Sequence, residues 1–96
     1  MTATDKPLAN PVVVLREEFD DWAVLFNPDT ADAVGINPVG VSVWKMLDGK
    51  HDLYDIVDNV RQEFDDVPAA ADVELGAFID DLVTKGFAGF EITEGG

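Results

Sequence analysis

At 96 residues, with 47% of them hydrophobic and no cysteine, the chain describes one small domain with enough apolar side chains for a core; disulfides, thiolate metal sites and a cysteine nucleophile are excluded. Twenty acidic residues against six basic ones give a net charge of −14, which repels nucleic acid and anionic membranes, because affinity for phosphate comes largely from Lys and Arg. No apolar run nears the ~20 residues that span a bilayer, and the N-terminus lacks a basic-then-apolar signal pattern, so the expected location is the cytoplasm.

Residues 1–10 are polar, small and proline-containing and read as a flexible arm; the folded domain is expected over 11–92, with a tail at 93–96. Val12-Val13-Val14-Leu15 is a run of strand formers, closed by the charged Glu17-Glu18-Phe19-Asp20-Asp21. The next strand, Trp22 to Phe26, places Trp22, Val24 and Phe26 on one face and Ala23 and Leu25 on the other, so both faces are expected to be covered. Asn27-Pro28-Asp29 makes a turn, with Pro28 presetting the backbone angle, and leads into a short third strand from Ala33 to Ile36. Three strands joined by short turns imply an antiparallel meander.

From Ile36 onward the periodicity becomes helical. Asn37-Pro38 starts a first helix, with Asn37 as cap and Pro38 where its missing N–H costs nothing, and Gly49 is the expected stop. Val39, Val43, Met46 and Leu47 give it an apolar stripe, with Trp44 beside them. Asp52 and Asp55 suggest a capping box for a second helix, whose stripe is Leu53, Ile56, Val57, Val60 and Phe64. Asp65-Asp66-Val67-Pro68 breaks it, and Pro68 suits the first turn of a third helix carrying Val73, Leu75, Ala77, Phe78, Ile79, Leu82 and Val83 to a stop at Lys85-Gly86. That helix is apolar over a wider arc than one core contact requires. Phe87 to Ile92 can add a short strand.

The inventory for chemistry is poor. His51, the one histidine, follows Gly49 at a helix–helix turn, and no nucleophile has a base and an orienting group beside it. Asp20-Asp21, Asp65-Asp66 and Asp80-Asp81 are sequence neighbours, which on a helix do not share a face and make poor acid–base dyads or metal clamps. Gly35, Gly40 and Gly49 lack the context of a phosphate loop, and Ser42 in Val-Ser-Val is not the attachment site of an acyl carrier. The expectation is a protein without catalysis, metal or cofactor. Its best binding feature is the third strand: as a sheet edge it exposes unpaired N–H and C=O groups, to be protected by nearby Asp residues or used by an added peptide strand.

Trp22-Ala23-Val24-Leu25-Phe26-Asn27-Pro28-Asp29-Thr30, then Ile36-Asn37-Pro38-Val39-Gly40 running into Val43-Trp44-Lys45-Met46-Leu47-Asp48-Gly49, resembles the PqqD-like proteins, or RiPP recognition elements. Asp55-Ile56-Val57 and Phe78-Ile79-Asp80-Asp81-Leu82-Val83-Thr84-Lys85-Gly86 extend the resemblance over about residues 11 to 90. It implies an α+β, winged helix-turn-helix-like fold, a three-stranded antiparallel sheet followed by three helices. It also implies a peptide chaperone that binds the leader of a ribosomally made precursor beside the third strand, against the third helix, and presents it to a maturation enzyme, often a radical S-adenosylmethionine enzyme. Carried onto this chain, the contact set is Asp32, Ala33, Val34, Gly35 and Ile36 on the strand and Val73, Leu75, Ala77, Phe78 and Asp81 on the helix. Gly35 departs from the bulkier residue often found on that strand. Proline at Val34 is expected to block the added strand.

Two alternatives come from other classes, a winged-helix regulator that shares the architecture and a structural or dimerisation subunit of an enzyme complex. A winged-helix transcription regulator is disfavoured by the charge, with only Lys45, Lys50, Arg61 and Lys85 along the helical half. A structural subunit, in which edge strands of a homodimer pair with each other, is the other alternative.

Overall fold

The computed structural model describes residues 5–18, 20 and 22–90; the expected tail at 93–96, Ile92, Phe19 and Asp21 lie outside them. In chain order the elements are β1 (Pro7–Ala9), β2 (Val14–Glu17), β3 (Ala23–Asn27), β4 (Asp32–Ile36), α1 (Pro38–Lys45), α2 (Leu53–Glu63), α3 (Ala71–Thr84) and β5 (Ala88–Phe90). β2, β3 and β4 form the expected antiparallel sheet in that order, and the three helices follow it.

The first sheet strand begins at Val14 rather than Val12, because Asn10 captures the chain before it. Its side-chain oxygen accepts from Val12 N–H at 3.2 Å and its carbonyl from Val13 N–H at 3.0 Å, a local turn that competes with the ladder. On β3 the alternation is as expected, but among the described residues only one face is covered. Ala23, Leu25 and Asn27 point inward, while Trp22, Phe26 and the neighbouring Val14 on β2 are 51%, 41% and 54% exposed. Asn27 is polar yet buried, and it ties the β3–β4 turn to the far end of α3: its oxygen accepts from Asp29 N–H at 2.9 Å and its amide donates to the Gly86 carbonyl at 3.4 Å.

The helices pack on that inner face. Asn37 caps α1 by accepting from Gly40 N–H at 2.8 Å, and the Asp52–Asp55 capping box of α2 is complete. Leu25, Val43, Ile56, Val60, Ile79, Leu82 and Phe87 are fully buried, and truncating any of the larger ones removes roughly 2–5 kcal/mol. Between α1 and α2 the Ser42 hydroxyl donates to the Glu63 carboxylate and accepts from the Asn59 amide, so no polar atom there is stranded. α3 ends as expected: Gly86 N–H bonds the Val83 carbonyl and Phe87 N–H the Leu82 carbonyl.

Two expectations need correcting. Residues 7–9 are not part of a loose arm: β1 pairs antiparallel with β5, and Pro7 is fully buried. Nor does α1 run to Gly49. It stops at Lys45 with Met46 as cap, because the next residues turn extended and seal the other side of β1. Ala9 N–H donates to the Leu47 carbonyl at 2.7 Å, and Gly49 N–H to the Pro7 carbonyl at 3.0 Å. Gly49, at φ +77°, takes the left-handed turn out of that extended stretch instead of closing a helix. Among the described residues, no helix is long and apolar enough to cross a membrane.

Candidate functional site

β4 pairs only with β3, so its second edge is open among the described residues. Which of its backbone groups face that edge follows from the phase of the ladder. Glu18 N–H donates to the Trp22 carbonyl at 2.7 Å, so Trp22, Val24 and Phe26 turn their backbone groups toward β2. Ala23, Leu25 and Asn27 therefore turn theirs toward β4, where their partners are Ile36, Val34 and Asp32. Ala33 and Gly35 are left with N–H and C=O on the open edge. The N–H of Val34 belongs to the protein's own ladder, so proline there attacks the fold and is the wrong probe of an added strand.

Beside the C-terminal half of this edge lies a groove of about 500 Å³. Its walls are the end of β4, the start of α1, the end of α2 with the loop after it, and the first half of α3. The lining is mainly apolar: Trp22 and Ile36 on the sheet side, Phe64 and Val67 around the loop, Leu75 and Phe78 on α3. Gly40 lets α1 come close. A Cβ at that position would lie 3.0 Å from Ile36 Cβ and 3.4 Å from Phe78 Cζ, so a side chain would crowd the two residues that form the groove's inner end. Gly35 is different: a Cβ there meets nothing within 4 Å.

Of the expected contact set, the structure gathers Gly35, Ile36, Leu75 and Phe78 on the groove. Asp32, Ala33 and Val34 continue along β4 beyond the groove lining. Val73 and Ala77 stand on another face of α3, with Leu53 and Gly76 along a shallow depression, and Val73 is 69% exposed. Asp81 is ion-paired with Lys85 at 2.9 Å. Helical phase explains the split, since Ala71, Leu75 and Phe78 fall at i, i+4 and i+7 and share a face that Val73 and Ala77 do not. Sequence reasoning missed Trp22, Phe64 and Val67. The available signal was apolar residues flanking Asp65-Asp66, a stretch that reads as a mere helix break. Among the described residues, no group of three His, Asp or Glu stands close enough to hold a metal ion.

The family model for coenzyme PQQ synthesis protein D (PqqD) matches residues 23–88, well over half of the chain. A search of curated proteins finds no match. Among solved structures, TbiB1 in complex with the TbiA(beta) leader peptide is similar at a TM-score of 0.72 and 23% identity, over 90% of this chain and 99% of that one. At that identity the likeness concerns the fold, which the two chains share.

Proposed function

The chain belongs to the PqqD family, and from that premise we propose that it is a non-catalytic peptide chaperone, binding the leader of a ribosomally synthesised precursor and presenting it to a maturation enzyme of the radical S-adenosylmethionine class. The observation that carries this reading is the open edge of β4 running into an apolar groove. An extended peptide adding to that edge satisfies the backbone groups of Ala33 and Gly35, and its alternate side chains reach the groove. The similarity of fold to a protein solved with a leader peptide supports the same mode. On this reading Ala33, Gly35, Ile36, Leu75 and Phe78 contact the peptide, joined by Trp22, Phe64 and Val67. Val73 and Ala77 remain off the site.

An amide NMR titration with the leader of the precursor peptide encoded beside the gene tests this. Shifts are expected at Ala33, Gly35, Val67, Leu75 and the Trp22 indole, with Val73 and Ala77 nearly still. No shift at millimolar peptide overturns the reading, and a persistent homodimer by light scattering would then favour the structural subunit. Co-purification of the protein with a radical S-adenosylmethionine enzyme encoded beside it tests the partner separately.

A further inference from the structure

The groove is apolar in floor and acidic in rim. Asp65 and Asp66 sit between its lining residues Phe64 and Val67, and Glu74 lies on α3 between Ala71 and Phe78. Ala71, Glu74, Leu75 and Phe78 occur at i, i+3, i+4 and i+7, so Glu74 occupies a position on the very helix face that the groove makes apolar. None of the residues lining the groove is cationic. A few acids elsewhere have a cation of their own: Lys45 holds Glu17 at 3.0 Å, Lys85 holds Asp81 at 2.9 Å, and Arg16 stands 3.5 Å from Glu18. Asp65, Asp66 and Glu74 have no such partner among the described residues.

We infer that the occupant of the groove is a peptide segment carrying a Lys or Arg, whose cation seats among Asp65, Asp66 and Glu74. The inference rests on the peptide-binding reading above and names the chemistry that the groove selects. A strand added to β4 turns every second side chain to the groove, and such side chains are about 7 Å apart. One apolar residue then fills the space by Ile36, Leu75 and Phe78. A basic residue two positions along reaches the acids, its aliphatic stem lying on Phe64 and Val67 while its head stays at the wet rim. The apolar contact supplies most of the affinity. The cation chooses between segments of similar apolarity and fixes the register.

Fluorescence anisotropy with the labelled leader of the precursor encoded beside the gene, and with the same leader bearing Gln at each Lys and Arg, reads this directly. The unmodified leader is expected to bind about tenfold more tightly, a gap that shrinks as salt rises. In the protein Asp65→Asn/Asp66→Asn/Glu74→Gln, which keeps side-chain shape and an Asx residue at Asp66 (φ +57°), the two peptides should bind alike. An unchanged denaturation midpoint shows that the variant is folded. Equal binding of both peptides by the natural protein overturns the inference alone, as does a tight-binding leader that contains no Lys or Arg. If neither peptide binds even at millimolar concentration, the peptide-binding reading itself fails and takes this inference with it.

Discussion

β1 and β4 are both short strands at the margin of the fold, and the chain treats their edges in opposite ways. β1 is bonded on both sides: β5 takes one edge, and residues 47–49 take the other through the Ala9–Leu47 and Pro7–Gly49 bonds. The cost of sealing it is an α1 that ends early. β4 has one partner among the described residues, and α1, the loop after α2 and α3 line a groove beside its second edge. Unpaired strand edges invite association, and proteins usually blunt them. β2 does so with Arg16 and Glu17, whereas β4 runs Ala33-Val34-Gly35-Ile36 with Asp32 as its only charge. Among the described residues, a chain able to close one edge with its own backbone has left the other open beside an apolar groove of about 500 Å³, and that contrast is what the proposed strand addition at β4 rests on.

Proline, which removes one N–H, reads whether an edge is used internally. Val34→Pro should be the most damaging substitution: it deletes a rung of the β3–β4 ladder and strands a carbonyl, costing roughly 3 kcal/mol or more by urea denaturation. Ala9→Pro follows, at roughly 1–3 kcal/mol, through loss of the 2.7 Å bond to Leu47. Ala33→Pro, one residue from Val34, should leave the urea midpoint nearly unchanged while weakening leader binding at least tenfold (about 1.4 kcal/mol), because its N–H faces the open edge. A strongly destabilised Ala33→Pro protein would mean that the Ala33 N–H, rather than that of Val34, bonds β3.

Gly35→Thr sharpens the contrast from the other side. The residue has no positive φ and no neighbour within 4 Å of its missing Cβ, so nothing in the fold requires glycine. A β-branched residue there should raise stability by roughly 0.5–1 kcal/mol, seen as a higher urea midpoint. Leader affinity should hold if the peptide meets Gly35 through its backbone alone. A gain in stability paired with a loss of binding would mean that the peptide also packs against the sheet at Gly35, beside Trp22.

These positions also show how far the sequence could be read. The β3–β4 turn, the Asn37-Pro38 start and the Asp52–Asp55 box were legible because each is a local motif whose hydrogen bonds close within a few residues. β1 was not legible, because its stability comes from partners about forty and eighty residues away, and Leu8 and Ala9 carry no periodic signal of their own. The same reason cut α1 short: Leu47 continues a helical stripe in sequence, but its carbonyl is claimed by Ala9. In the site, the strand half came from order along the chain. The helix half was only partly placed, because the apolar arc of α3 serves two surfaces and pattern alone does not separate the row of Leu75 and Phe78 from that of Val73 and Ala77.

The smallest effect lies on the sealed edge. Asp48 stands opposite Leu8, in the stretch that closes β1. Its carboxylate accepts from Lys50 N–H at 2.9 Å and meets His51 Nδ1 at 2.9 Å. The backbone bond first, and the His51 contact second, hold its pKa below the usual carboxylate range. A folded-state pKa below the unfolded one means that the ionised group favours the folded protein at pH above about 4, and that this contribution fades as pH falls through the depressed value. The difference in urea midpoint between the natural protein and Asp48→Asn should therefore be constant near neutrality and shrink below about pH 4. Because Asp48 is solvent-exposed the difference is small. A gap that instead widens toward acid would mean that Asp48 is bonded more strongly as a neutral acid than as a carboxylate, and that the seal over β1 does not depend on its charge.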